Sequence, residues 1–478
     1  MRFKGTLILF VVCLLLGGYL YFYEIRGSEE REKAKQAENQ IWALEEKDIQ
    51  RMDFVFPERT LTAVRRNEEE WILTAPRRLV ADSEELNRLA GSASKIERES
   101  TVDPEATDLN KYGLDPAQFS LKLKTKEDKE FTVAFGSNNP TGNSVYAVLP
   151  GSSEVFLVGN AVANTFDKGL NDLRSHSVLS FKQPEVQTLN IRRPDGELKL
   201  TKDEDDNWWI EGANRIAADS PGIRSVLNTL SMATIEEFFD EDMAEYRNLR
   251  LEKPFIEVNL TYGADKAIKN LVIGAEKSKI RSTAGKPYAP DEGSQGEDAS
   301  AESSAERYLA RDISREDLFF VEKDLIDKLL QPLNELRNKA LASFQRWEID
   351  SISLTNANGS YAFNRSGGEW FWKDTQKKAK WDGINAILDA VEKPVGEWID
   401  KPAAAKVYGL DNPPIHVVLR EGDEVIVDAF LAKNEEGKVY ARLEGESSVK
   451  VADPESFSML EMNEEDFTEE PEPETSEE

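Results

Sequence analysis

The chain has 478 residues, long enough for about three domains of roughly 150 residues each, and its 60 Lys plus Arg against 90 Asp plus Glu leave a net charge of -30. That balance excludes a nucleic-acid backbone binder and docking on anionic lipid by charge, both of which need basic surface. Hydrophobic residues at 40% mark a folded chain, and one cysteine (Cys13) with two histidines (His176, His416) leaves no parts for a disulfide framework, a thiolate metal site or triad chemistry.

From the N-terminus, Thr6 to Tyr23 runs 18 residues without a charge, a helix of about 27 Å that would reach across a bilayer core. Arg2 and Lys4 precede it, Tyr19, Tyr21 and Tyr23 suit an interfacial aromatic belt, and no small-residue cleavage site follows. Phe10-Val11-Val12 before Cys13 is not a lipidation box. The expectation is an uncleaved single-pass anchor (1–23) in a bacterial inner membrane, with the C-terminal modules in the periplasm. Residues 24–41 are charged and poor in apolar side chains, as in a stalk.

After residue 42 one pattern recurs three times. Tyr112-Gly113-Leu114-Asp115-Pro116 precedes the alternating run Phe119–Leu123, Tyr408-Gly409-Leu410-Asp411-Asn-Pro413 precedes Ile415–Leu419, and Leu251-Glu252-Lys-Pro254 leads into Ile256–Leu260. Trp71, Trp209 and Trp372 each stand 10 or 11 residues before Asp82, Asp219 and Asp382, and each Asp opens an apolar stretch at helical spacing. Phe135-Gly136 matches Ile273-Gly274, and Asn171-Asp-Leu-Arg174 matches Asn334-Glu-Leu-Arg337. In the first copy, strands are expected near Met52–Phe56, Leu61–Arg65, Glu70–Leu73, Phe119–Lys124, Glu130–Phe135, Val145–Leu149 and Glu154–Val158. Helices are expected near Ser83–Lys95 and Ala161–Leu173. The expected fold class is α+β: an N-terminal transmembrane helix, then three tandem copies (42–178, 179–341, 342–460) of a mostly antiparallel β-rich module with two helices each. A low-complexity insert at 275–306 and an acidic tail at 461–478 read as disordered.

The turn motif is the sharpest local signal. Gly tolerates positive φ, Asp can bond the backbone two residues on, and Pro prepares extended chain, so it suits a turn that launches a strand. Its functional alternative is a binding notch made by Tyr112 and Asp115, or by Tyr408 and Asp411. Arg174 and Arg337 stand where one copy passes to the next, as clamps between modules. The sequence holds no Gly-x-Ser-x-Gly, His-Glu-x-x-His, phosphate loop or dinucleotide fingerprint, so neither an enzyme nor a cofactor is expected.

Taken together, the Tyr-Gly-Leu-Asp-Pro turn, the Phe/Ile-Gly strand end, the strand Tyr440-Ala441-Arg442 and the Asn-Asp-Leu-Arg helix resemble a bacterial envelope family catalogued as domain of unknown function 4340. The likeness covers nearly all of residues 42–460, although the second copy lacks the Tyr-Gly pair. It implies an envelope location, tandem modules behind one span, and a possible partner in an ABC transporter of the gliding-motility type, whose gene often lies beside the family's own. The expected function is a membrane-anchored periplasmic binding or scaffold protein, accessory to such a transporter through its permease or an auxiliary subunit. The alternative is an enzyme acting on envelope glycan or lipid.

Overall fold

The computed structural model describes residues 39–212, 215–288 and 306–468. Alternating side chains set its strands. In β1 (Ile49–Val55) Ile49, Met52 and Phe54 are buried while Arg51 is exposed. β2 (Thr60–Arg65), β3 (Trp71–Ala75) and β4 (Leu79–Val80) follow as a meander, β5 (Ser100–Asp103) comes after a helix, and β6 (Phe119–Thr125), β7 (Glu130–Asn138), β8 (Ser144–Val148) and β9 (Val155–Gly159) complete the set. They form one nine-stranded sheet in the order β4-β3-β2-β1-β6-β7-β8-β9-β5, with every pairing antiparallel.

The second sheet follows the same path through Ile216–Ala217, Trp208–Glu211, Gly196–Lys202, Val186–Arg193, Ile256–Tyr262, Ala267–Glu276, Arg307–Asp312, Leu318–Glu322 and Glu237–Phe239. An eight-stranded third sheet repeats it without the first edge strand, from Glu369–Trp372 through Gly359–Ser366, Ser351–Asn356, Ile415–Glu421, Glu424–Lys433, Val439–Leu443 and Val449–Ala452 to Val395–Ile399. Each sheet is covered on one face by a helix of three to four turns. These are α1 (Ser83–Ser94), α4 (Ser220–Met232) and α7 (Trp381–Glu392), whose apolar faces enter the cores. Asp82 and Asp219 cap α1 and α4 by accepting from the Glu85 and Gly222 amides.

The remaining helices are short: α2 (Asn160–Thr165), α3 (Leu170–Leu173), α5 (Lys323–Leu329), α6 (Leu333–Leu336) and α8 (Pro454–Met459). The segment expected as one helix at Ala161–Leu173 is therefore two, broken around Phe166 to Gly169, and Pro332 separates its counterparts α5 and α6. Two compact units result. One holds the described residues up to Ser177 with Ser314–Leu318, and the other holds Val178–Ile313 with the described residues from Phe319 onward.

These observations correct the expected fold class. The described residues form a β-rich protein of antiparallel sheets, not an α+β protein of two-helix modules behind a transmembrane helix. Most of its helices are too short to form a layer. The expected anchor at Thr6–Tyr23 lies outside the described residues, and among those described no helix is long and apolar enough to cross a membrane. A single-pass inner-membrane placement with periplasmic modules is therefore not supported.

The edges of the repeat also move. Residues 39–41, expected in the stalk, are tied to the first unit: Gln40 bridges Glu97, and the Ile41 amide donates to the Ile96 carbonyl at 3.1 Å. Residues 275–288 of the expected insert are ordered, with Arg281–Ser282 pairing Tyr246–Arg247. Residues 461–468 of the expected tail close the third core, where Phe467 is fully buried against Tyr361, Phe363 and Trp372. The buried tryptophans at the repeated position are Trp71, Trp208 and Trp370, so Trp209 and Trp372 are displaced by one and two residues from it. Lys380, not Asp382, is the N-cap residue of α7.

Candidate functional site

Period two places Ala134, Tyr146, Val148 and Val155 on the sheet face opposite the helix-covered core, and the turn motif supplies their cover. Asn110–Tyr112 forms a 3-10 turn that ends on Gly113 at φ 67. Tyr112 and Leu114 then pack into the small second core, with the Tyr112 and Tyr146 rings 4.9 Å apart. The Tyr112 hydroxyl donates to Asp103 at 3.0 Å, which holds that carboxyl below its ordinary pKa. In the third sheet Tyr408 and Leu410 do the same beside Tyr440, behind Gly409 at φ 74. The Tyr408 hydroxyl accepts from the Ala403 amide at 3.0 Å.

Both tyrosines are thus buried plugs. Asp115 and Asp411 are exposed, and among the described residues neither carboxylate accepts a hydrogen bond. In each pair, Tyr112/Asp115 and Tyr408/Asp411, the tyrosine is buried and the aspartate exposed. Pro116 follows a cis peptide bond, and Pro413 precedes the strand Ile415–Glu421. The second copy puts half-buried Leu249 and Leu251 where the others have Tyr and Leu and leaves Glu252 exposed, with Pro254 half-buried before the strand.

Arg174 and Arg337 follow α3 and α6 and are almost completely buried, at 0% and 3% exposure. Each lies on a short bridge, Arg174 to Ala81 and Arg337 to Ala218, beside a helix cap. Thr468 bridges Ala379 in the same way, so it holds the third copy's position for these arginines. In the second unit the Arg337 side chain leaves its own sheet's core. Its Nη1 donates to Asn334 at 3.0 Å and pairs with Asp400 at 2.9 Å, and its guanidinium lies 4.8 Å from the centre of Trp398. Trp398 lies at the end of the third sheet's edge strand Val395–Ile399, and Asp400 follows directly after it.

Lys450 completes this junction. It is 2% exposed, its Nζ donates to the Leu341 carbonyl at 2.8 Å, pairs with Glu446 at 3.2 Å and sits 4.2 Å from the Trp398 ring. Burial pushes its pKa down, Glu446 opposes that shift, and the positive Arg337 adds to it. Trp398 thus carries two cations on its ring system. Next to them a cleft of about 380 Å³ runs between the second and third sheets, lined by Arg193, Arg215, Arg337, Asp195, Glu211 and Asp400 among others. Its arginines are neutralised in place: Arg193 by Asp195 at 2.9 Å, Arg215 by Glu211 at 3.1 Å and Arg337 by Asp400. The chemistry available here is that of a fastening of cations, carboxylates and an aromatic ring, in which Arg193 Nε, Arg337 Nε and Glu446 Oε2 are buried without a hydrogen-bond partner among the described residues. Among the described residues no group of three His, Cys, Asp or Glu side chains could hold a metal ion.

Sequence reasoning identified Arg337 from its repeat position but missed Lys450, Trp398 and Asp400, which stand at no repeated motif. Glu237 likewise stands at no repeated motif. Glu237 pairs with Lys277 and with Arg307 at 3.2 Å, accepts from the Tyr288 hydroxyl at 3.3 Å, and so anchors the second copy's ordered insert. Tyr288 stacks on Phe239 at 5.2 Å, and its pKa is pushed up by burial and by Glu237. No short motif announces this box, because its members are spread from residue 237 to residue 320.

These features define a class, a tandem antiparallel sheet protein whose second and third sheets share a buried cationic fastening. Residues 71–254 match the model of a family described as Domain of unknown function (DUF4340), which supports the resemblance drawn from the repeated motifs. The match runs from the buried Trp71 of β3 to Pro254, just before the second sheet's strand Ile256–Tyr262, a narrower span than the motifs cover. No curated protein and no solved structure matches the chain.

Proposed function

We propose that this chain is a binding or scaffold protein without catalytic activity, and that its partner is the permease or an auxiliary subunit of an ABC-type transporter. The observation that carries the reading is the Arg337–Trp398–Lys450 fastening. It joins two sheets that each keep a separate hydrophobic core, so surface is added without disturbing the neighbouring core. A fixed pair of sheets offers a partner a broad, preorganised face, which lowers the ordering cost of association. The partner class rests on the resemblance alone. Affinity capture with the full chain as bait, under mild detergent, tests it. Reproducible enrichment of an ABC permease or its auxiliary subunit is expected, and capture without either would overturn the assignment.

A further inference from the structure

The second copy departs from the other two at one turn. Gly113 and Gly409 hold the left-handed position after the plug tyrosine, and a Cβ there would lie 2.2 Å from Ser137 Oγ or 2.6 Å from the Lys433 carbonyl. The second copy places Arg250 at this position, at φ 57, with Asn248 two residues earlier at φ 64. A left-handed backbone disfavours every residue but glycine, so this copy keeps a long cationic side chain at a conformational cost the other copies avoid. Space has opened for it. Ala275 follows Gly274 where Ser137 follows Gly136, and a cleft of about 520 Å³ lies beside it.

The lining of that cleft is cationic in a chain of net charge -30. Arg250, Lys279 and Arg281 face one carboxylate, Glu276, and Lys279 already pairs with it at 2.6 Å. Among the described residues neither Arg250 nor Arg281 meets a carboxylate. Arg281 donates through Nη1 to the Ser278 and Ile280 carbonyls, at 2.5 and 2.8 Å. Phe255 and Tyr308, stacked 6.0 Å apart with planes 14° from parallel, form an aromatic wall. Two guanidinium groups that meet no carboxylate among the described residues, with Arg250 lying 5.9 Å from the centre of the Phe255 ring, suit an oxyanion carried on a planar or apolar body, because guanidinium matches phosphate bidentately.

We propose that the Arg250–Arg281 cleft of the second sheet is a binding site for a phosphate monoester, held by the two guanidinium groups with its organic body against Phe255 and Tyr308. The site does not depend on the scaffold reading, since none of its residues belongs to the Arg337 fastening. Phenyl phosphate titrated calorimetrically into the full chain tests it, with R250G and R281Q as variants. R250G restores the residue of the other copies and relieves the backbone, so it should keep the parent's melting temperature while binding at least about tenfold more weakly. R281Q should weaken binding similarly, and inorganic phosphate, lacking the ring, should bind less tightly than phenyl phosphate.

A flotation arm with phosphatidylcholine vesicles, with and without phosphatidic acid, separates the two sources of the group. Flotation that needs both phosphatidic acid and Arg250 would assign the phosphate to a lipid headgroup, and its absence alongside phenyl phosphate binding would assign it to a soluble ligand. Failure of phenyl phosphate to saturate the chain together with failure to float, or affinity unchanged in R250G, would overturn the proposal.

Discussion

At the residue scale, the turn motif works through close approach. A Cβ on Gly136 would lie 2.3 Å from the Tyr112 carbonyl, and one on Gly274 would lie 2.2 Å from that of Leu249, so the repeated Gly lets the turn sit down on the strand. The recurrence of this Gly in the first two copies was legible in the sequence, but its contact with the turn was not. The role of Asp115 was not, since an acceptor two residues from its donor reads the same whether or not the bond forms. Arg250 was equally opaque, because backbone sign is invisible in composition. Charge contributes at this scale through Glu85, which accepts from Arg88 at 2.7 Å and pairs with Lys168 at 2.9 Å, and whose pKa falls to about 2. A carboxyl depressed below its unfolded value of 4.5 stabilises the fold fully above that pH, and the contribution is lost as pH falls toward about 2. Urea unfolding of the parent and of E85Q between these pH values should therefore converge on acidification. The gap at neutral pH is expected to be on the order of 1 kcal/mol, because the group is only partly shielded.

At the element scale, period-two alternation made the strands readable: β6 begins at the expected Phe119, and β1, β2, β7, β8 and β9 fall within a few residues of their expected places. The short helices were less readable, since apolar spacing continues across Phe166 to Gly169 while the backbone turns away. The closing segment of the third copy escaped notice altogether. Its acidic residues masked Phe467, whose backbone carbonyl accepts from the Lys380 amide at 2.8 Å just as those of Leu173 and Leu336 accept from Asp82 and Asp219. If this segment closes the core, F467A should cost about 3–5 kcal/mol in chemical unfolding. Truncation at Glu461 should then be equally damaging, whereas a disordered tail would leave stability unchanged.

At the scale of the whole molecule, the repeat explains why one family model can match from inside the first sheet into the second copy. What the sequence could not convey is how one copy is fastened to the next. Arg337 was visible by register, but its partners come from an edge strand, its following turn and the end of a hairpin more than fifty residues further on, where no motif repeats. This fastening makes the second and third sheets one cooperative body. Native-state hydrogen exchange on the full chain tests this coupling by comparing core amides such as Leu260 of the second sheet with Leu419 of the third. In the parent, both sets should exchange through one shared opening of equal free energy. In R337A, which leaves Asp400 without its cation and Trp398 with Lys450 alone, the two sets should separate. Sets already separate in the parent, or still equal in R337A, would contradict the claim.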